Sequence, residues 1–111
     1  MLQAAIISRD SSAISKLLSP SVRMVIDPGG HGRQSARVLV GVADAVRMLL
    51  HGTTPAPGRK LALREVNGQA GLILMRGDLA EATIGIDFDA DRASIIWIRL
   101  HPDYQRHGNR T

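Results

Sequence analysis

The stretch KLALREVNGQAGLILM, Lys60–Met75, decides the architecture. Two runs of strand length, KLALREV and AGLILM, flank Asn-Gly-Gln, and Asn-Gly is the dipeptide that most readily supplies the positive φ angles of a tight hairpin turn. Strands joined by such a turn must run antiparallel. The pattern continues downstream in LAEATIGIDFD, where Ala80, Ala82, Ile84, Ile86 and Phe88 alternate with Glu81, Thr83, Asp87 and Asp89. That period of two predicts a half-buried strand with Glu81 and Asp87 on its solvated face. DADR then turns the chain, and ASIIWIRL is apolar on both faces, as suits a central strand.

Upstream, the periodicity changes. Leu2, Ala5 and Ile6 stand at helical spacing, SRDSS interrupts, and Ala13, Ile14, Leu17 and Leu18 resume it. Asp10 or Ser11 is placed to cap the second helix, and Pro20 to end it. VRMVID, Val22–Asp27, alternates as a strand, and ARVLV returns after a glycine-rich bend. VADAVRMLLHG places Val42, Val46, Leu49 and Leu50 on one helical face, with Gly52 to stop it. The expected order is helix, helix, strand, strand, helix and four hairpin-linked strands. The class is α+β: one curved antiparallel sheet with about three helices packed on one side.

At 111 residues and 44% hydrophobic, the chain holds one domain of ordinary size. With no cysteine it has no disulfide, no thiolate metal site and no cysteine nucleophile. MLQAAIISRD lacks a basic region and a long enough apolar run for a signal peptide or a membrane span. The expectation is a soluble cytoplasmic protein without membrane contact. A net charge of +4 and a pI near 10.7 raise the question of nucleic acid. The arginines are spread about one per segment instead of clustered, and Phe88, Trp97 and Tyr104 are the whole aromatic set, so direct nucleic-acid binding is not expected.

The interrupted helices, the LLSPSV step into the first strand, IDPGG, VLVGVADAVRMLL, EVNGQAGLIL and the closing IIWIRLHPD together resemble the SnoaL-like domain at the C-terminus of SigJ-type extracytoplasmic-function sigma factors. The resemblance covers residues 1–104 and leaves 105–111 as an expected disordered tail. It implies the nuclear-transport-factor-2-like cone, in which a bent sheet and helices enclose a pocket. In those sigma factors the domain follows two DNA- and polymerase-binding regions. Neither is in this sequence, so promoter recognition does not carry over. The family's Asp-Gly-Gly-Gly-basic pattern stands here as Asp27, Pro28, Gly29, Gly30 and His31, and its Asn-Pro-Asp-Lys-Leu as His101, Pro102, Asp103, Tyr104 and Gln105. Asp27, Gly29, Gly30, Pro102 and Asp103 match the pattern; with His31 they form the expected contact with a sigma factor or RNA polymerase.

Taken as residues alone, Pro28, Gly29, Gly30 and Gly32 are turn punctuation between strands. The functional alternative is a contact loop. His31, His51, His101 and His107 show no ligand spacing, so no metal is expected, and no cofactor. Enzymes on the cone use, as the resemblance implies, a carboxylate in an apolar pocket as general base or acid. Asp27 and Glu65 are the weak catalytic candidates; Glu65 alternates with Leu61 and Leu63, with Arg64 or Arg99 as a possible ion-pair partner. Met24, Glu65 and Trp97 are the expected pocket residues, with core packing as the competing role for Met24 and Trp97. The sequence reading is a non-enzymatic regulatory or small-apolar-ligand-binding module linked to transcription regulation, assembled as a homodimer because the open sheet face would otherwise leave apolar residues in water. The alternative is a small isomerase, cyclase or hydrolase acting on a polyketide- or steroid-like substrate.

Overall fold

The Lys60–Met75 hairpin forms as the sequence predicts: β3 (Arg59–Val66) and β4 (Gln69–Arg76) pair antiparallel in unbroken register from Arg59↔Arg76 to Val66↔Gln69. The computed structural model describes residues 2–28, 36–66 and 69–101, so the Asn67-Gly68 turn, the glycine bend and the expected tail at 105–111 lie outside the described residues. The other elements are α1 (Leu2–Ile7), α2 (Ser11–Leu17), β1 (Leu18–Asp27), β2 (Arg37–Val40), α3 (Val42–Gly52), β5 (Leu79–Asp89) and β6 (Arg92–Leu100). Their types and order are those read from the sequence.

The strands form one curved sheet in the order β2-β1-β6-β5-β4-β3. The sheet is mixed where a wholly antiparallel one was expected, because β1 runs parallel to β6. Hairpin logic fixes direction only between strands that follow one another in sequence. β1 and β6 are first and last, so no turn constrains them. β6 lies in the middle of the sheet, as its two apolar faces predict.

Helix α2 starts at the cap the sequence places there: Asp10 accepts a hydrogen bond from the Ala13 amide at 3.1 Å. Its end differs from expectation. The helix stops at Leu17 and the strand begins at Leu18, taking in Pro20. Ser19, Pro20, Ser21 and Val22 lie between the pairs Leu18↔Ala93 and Arg23↔Ile95, with Ser94 alone on the β6 side. Proline has no amide to donate, and it falls where the ladder is irregular. Gly41 links β2 directly to α3 at φ 102°, a backbone angle that strains any residue with a Cβ.

The three helices among the described residues cover one face of the sheet. Ile6, Ile14, Leu18, Val22, Met24, Leu49, Leu72 and Ile96 are the largest fully buried side chains and come from both layers. Burying each contributes about 1.5–3 kcal/mol before chain entropy is counted. No helix among the described residues is long and apolar enough to cross a membrane.

Candidate ligand site

Alternation along β5 sends Glu81 to water, but the structure turns it inward. Leu74 pairs with Ala82 and Met75 with Ala80, leaving Glu81 as an extra residue on β5. Such a bulge re-aims one side chain. Glu81 therefore lines the helix-covered side beside Ala82, with 11% of its side chain exposed.

There it meets two arginines. Arg59 stands in phase with the inward-facing Leu61, and its guanidinium grips the Glu81 carboxylate with Nε to Oε1 at 2.9 Å and Nη2 to Oε2 at 3.0 Å. This is the bidentate geometry that planar guanidinium and carboxylate groups match best. Arg76 adds a third contact, Nε to Oε1 at 3.7 Å. Arg59 also donates from Nη1 to the Thr54 carbonyl at 2.6 Å, which ties the ion pair to the loop after α3. From the other side of that loop Arg9 donates to the Thr53 carbonyl and hydroxyl, each at 3.0 Å, and to the Leu50 carbonyl. Two guanidiniums thus satisfy carbonyls that the end of a helix leaves without partners.

Between α3 and the sheet lies a cavity of about 350 Å³. Its floor is Ile26, Ile98, Ile84 and Leu74 from four neighbouring strands, and Met48 and Leu49 cover it from α3. Ala82 and Leu100 complete the apolar wall. The polar groups stand at its ends: Arg37 on the edge strand β2, and the Arg59–Glu81 pair across the sheet. The volume falls in the range of small-molecule sites, which are mostly apolar with a few placed polar groups.

The residues expected to form the pocket are not brought together. Met24 is fully buried in the core, Glu65 is exposed near the end of β3, and Trp97 faces the opposite side of the sheet with 42% exposure. None of the three lines the cavity. For Trp97 the reason is phase: Ile96 and Ile98 point under the helices, so Trp97 points away. Asp27 pairs with Arg99, its register partner on β6, at 3.4 Å. Gly29, Gly30, His31, Pro102 and Asp103 lie outside the described residues. His101 is hydrogen-bonded through Nε2 to the Thr83 hydroxyl at 2.7 Å, and no group of three potential metal ligands occurs among the described residues.

No protein-family model and no curated protein matches the chain. Solved structures do. The extracytoplasmic-function sigma factor SigJ of Mycobacterium tuberculosis aligns with a TM-score of 0.65 at 24% identity, over 92% of this chain and 40% of that one. This chain therefore spans well under half of the sigma factor. A protein provisionally named a ketosteroid isomerase, from Kribbella flavida DSM 17836, aligns with a TM-score of 0.59 at 16% identity, over 89% of this chain and 71% of that one. An epoxide hydrolase of Mycobacterium tuberculosis aligns at 0.57 and 13% identity, over 96% and 82%. Likeness at these identities carries the fold and not the function. The fold is nuclear-transport-factor-2-like, as the sequence resemblance implies.

Proposed function

We propose that this nuclear-transport-factor-2-like chain is a small-ligand-binding module with a regulatory and not a catalytic role. One observation carries the reading: the carboxylate that lines the cavity, Glu81, has both oxygens taken up by Arg59. A general base needs a lone pair aimed at the ligand proton within hydrogen-bond reach. Each Glu81 oxygen instead accepts a hydrogen bond from the Arg59 guanidinium, which fixes the carboxylate in the plane of that group. Asp27 is paired to Arg99 at the surface, and Glu65 stands in water. What remains is an apolar chamber with fixed polar ends, a form suited to holding a molecule. The likeness to SigJ supports a link to transcription, with the ligand biasing a contact made by the module.

The test is binding of 2-naphthol, a neutral apolar fluorophore, to the wild type and to Ala82→Phe, which fills the chamber from its wall. Saturable one-to-one binding by the wild type and its loss in the variant are expected. Equal, non-saturating fluorescence with both proteins would remove the cavity as a binding site.

A further inference from the structure

We infer that the cavity takes an anionic amphiphile: a monocarboxylate whose apolar body lies on the Ile26, Ile98 and Ile84 floor and whose head group meets Arg37. The inference rests on the ligand-binding reading above and adds the chemical class. Its first ground is charge. Two arginines and one glutamate line the cavity, and the glutamate is already held by Arg59 and approached by Arg76. The positive charge left over is that of Arg37, which makes no ion pair with any carboxylate among the described residues. The adjoining cleft repeats the sign: Arg37 and Arg47 line it against a single acid, Asp44, which pairs with Arg47 at 3.4 Å.

The second ground is the separation of polar and apolar surface. Arg37 opens β2 directly opposite Ile26, and Ile26, Ile98 and Ile84 then follow in register across β1, β6 and β5. From Arg37 to Ile84 is three strand spacings, about 14 Å along the sheet. An elongated molecule with its charge at the Arg37 end therefore leaves no charged group of its own over the isoleucines. A charge placed over that floor would lose hydration without gaining a partner. The volume of 350 Å³ sets the size, since at about 30 Å³ per non-hydrogen atom, the share of a water in the liquid, it holds about a dozen atoms.

Decanoate and its neutral counterpart decan-1-ol are the probes, each titrated calorimetrically below its self-association limit into wild type, Arg37→Gln and Lys16→Gln. Lys16 is an exposed cation on α2 that does not line the cavity, and it serves as the charge control. Decanoate should bind the wild type at least about fivefold more tightly than decan-1-ol, the equivalent of one solvent-accessible ion pair. Arg37→Gln should abolish that preference, and Lys16→Gln should preserve it. Equal affinities for the two probes in the wild type, or a preference that survives Arg37→Gln, would overturn the assignment of an anion to Arg37 while leaving the cavity as a ligand site. Failure of both probes to bind any of the three proteins would overturn the ligand-binding reading as well.

Discussion

Removing either partner of the Arg59–Glu81 pair should cost about as much as removing both, and a double-mutant cycle measures the coupling. Arg59→Met leaves the Glu81 carboxylate with 11% exposure and only Arg76 near it, at 3.7 Å from a side chain that is itself 44% exposed. Breaking a fully buried pair from one side costs about 3–5 kcal/mol. An exposed pair is worth about 0.2–1 kcal/mol. With side-chain exposures of 18% and 11% the pair sits nearer the first case, and Arg76 remains as partial compensation, so about 2–3 kcal/mol is expected. Glu81→Met should cost less, about 1.5–2 kcal/mol, because Arg59 keeps the Thr54 carbonyl. The double variant buries two apolar side chains and strands no charge. It should lose about 2 kcal/mol instead of the sum of the singles, a coupling of about 2 kcal/mol. Urea unfolding of the four proteins, followed by far-ultraviolet circular dichroism, gives all the terms. Single losses under about 0.5 kcal/mol, or a strictly additive double, would show that the pair is solvated and that the bulge does not place Glu81 where the structure has it.

Arg9→Met removes three hydrogen bonds to the end of α3 and should cost about 2 kcal/mol, with faster hydrogen exchange at the Thr53 amide; unchanged exchange there would show that Arg9 does not fasten the helix end. We propose that a second copy covers the open sheet face. Val38, Val40 and Trp97 stand there with 59%, 62% and 42% exposure, and Gly85, beside Trp97 in register, has no steric need of glycine, since an added Cβ would meet only the Trp97 Cβ at 4.0 Å. Strand-interior glycine without such a need fits close approach by another chain. In sedimentation velocity the wild type should run as a dimer and Trp97→Glu as a monomer; a monomeric wild type at tens of micromolar would refute the covered face.

The elements were legible because each carries a local signature. Asn67-Gly68 between two apolar runs, the Asp10 cap and the α3 face of Val42, Val46 and Leu49 each act within a few residues, and the strands and helices formed there. The direction of β1 against β6 was not legible, because no local chemistry connects residues more than sixty positions apart. The start of β1 at Leu18, ahead of the Val22 that alternation predicts, has a related reason. Pro20 reads locally as a helix stop, and only the irregular pairing opposite Ser94 lets it lie inside a strand.

The candidate site was hidden by a single extra residue. Strict alternation assigns every second residue of β5 to water, and at Ala80-Glu81-Ala82 the partner strand advances one residue while β5 advances two. A rule with a period of two cannot register that shift and puts Glu81 on the wrong face. Trp97 shows the opposite failure: ASIIWIRL is apolar on both faces, and hydrophobicity alone cannot tell which face the helices cover. One signal was present. Arg59 is in phase with Leu61, whose side chain packs inward, and an inward arginine requires a carboxylate in reach. Four acids lie on β3 and β5, with none on β4 between them: Glu65 on β3 itself, and Glu81, Asp87 and Asp89 on β5. Glu65 is six residues from Arg59 along one strand, about 20 Å, and is out of reach. Of the three on β5, only Glu81 lies near the β4–β5 turn, at the end of the sheet where Arg59 stands opposite Arg76. Following that one charge from β3 to its partner leads to the bulge, to the inward face of β5, and from there to the cavity that the ion pair closes.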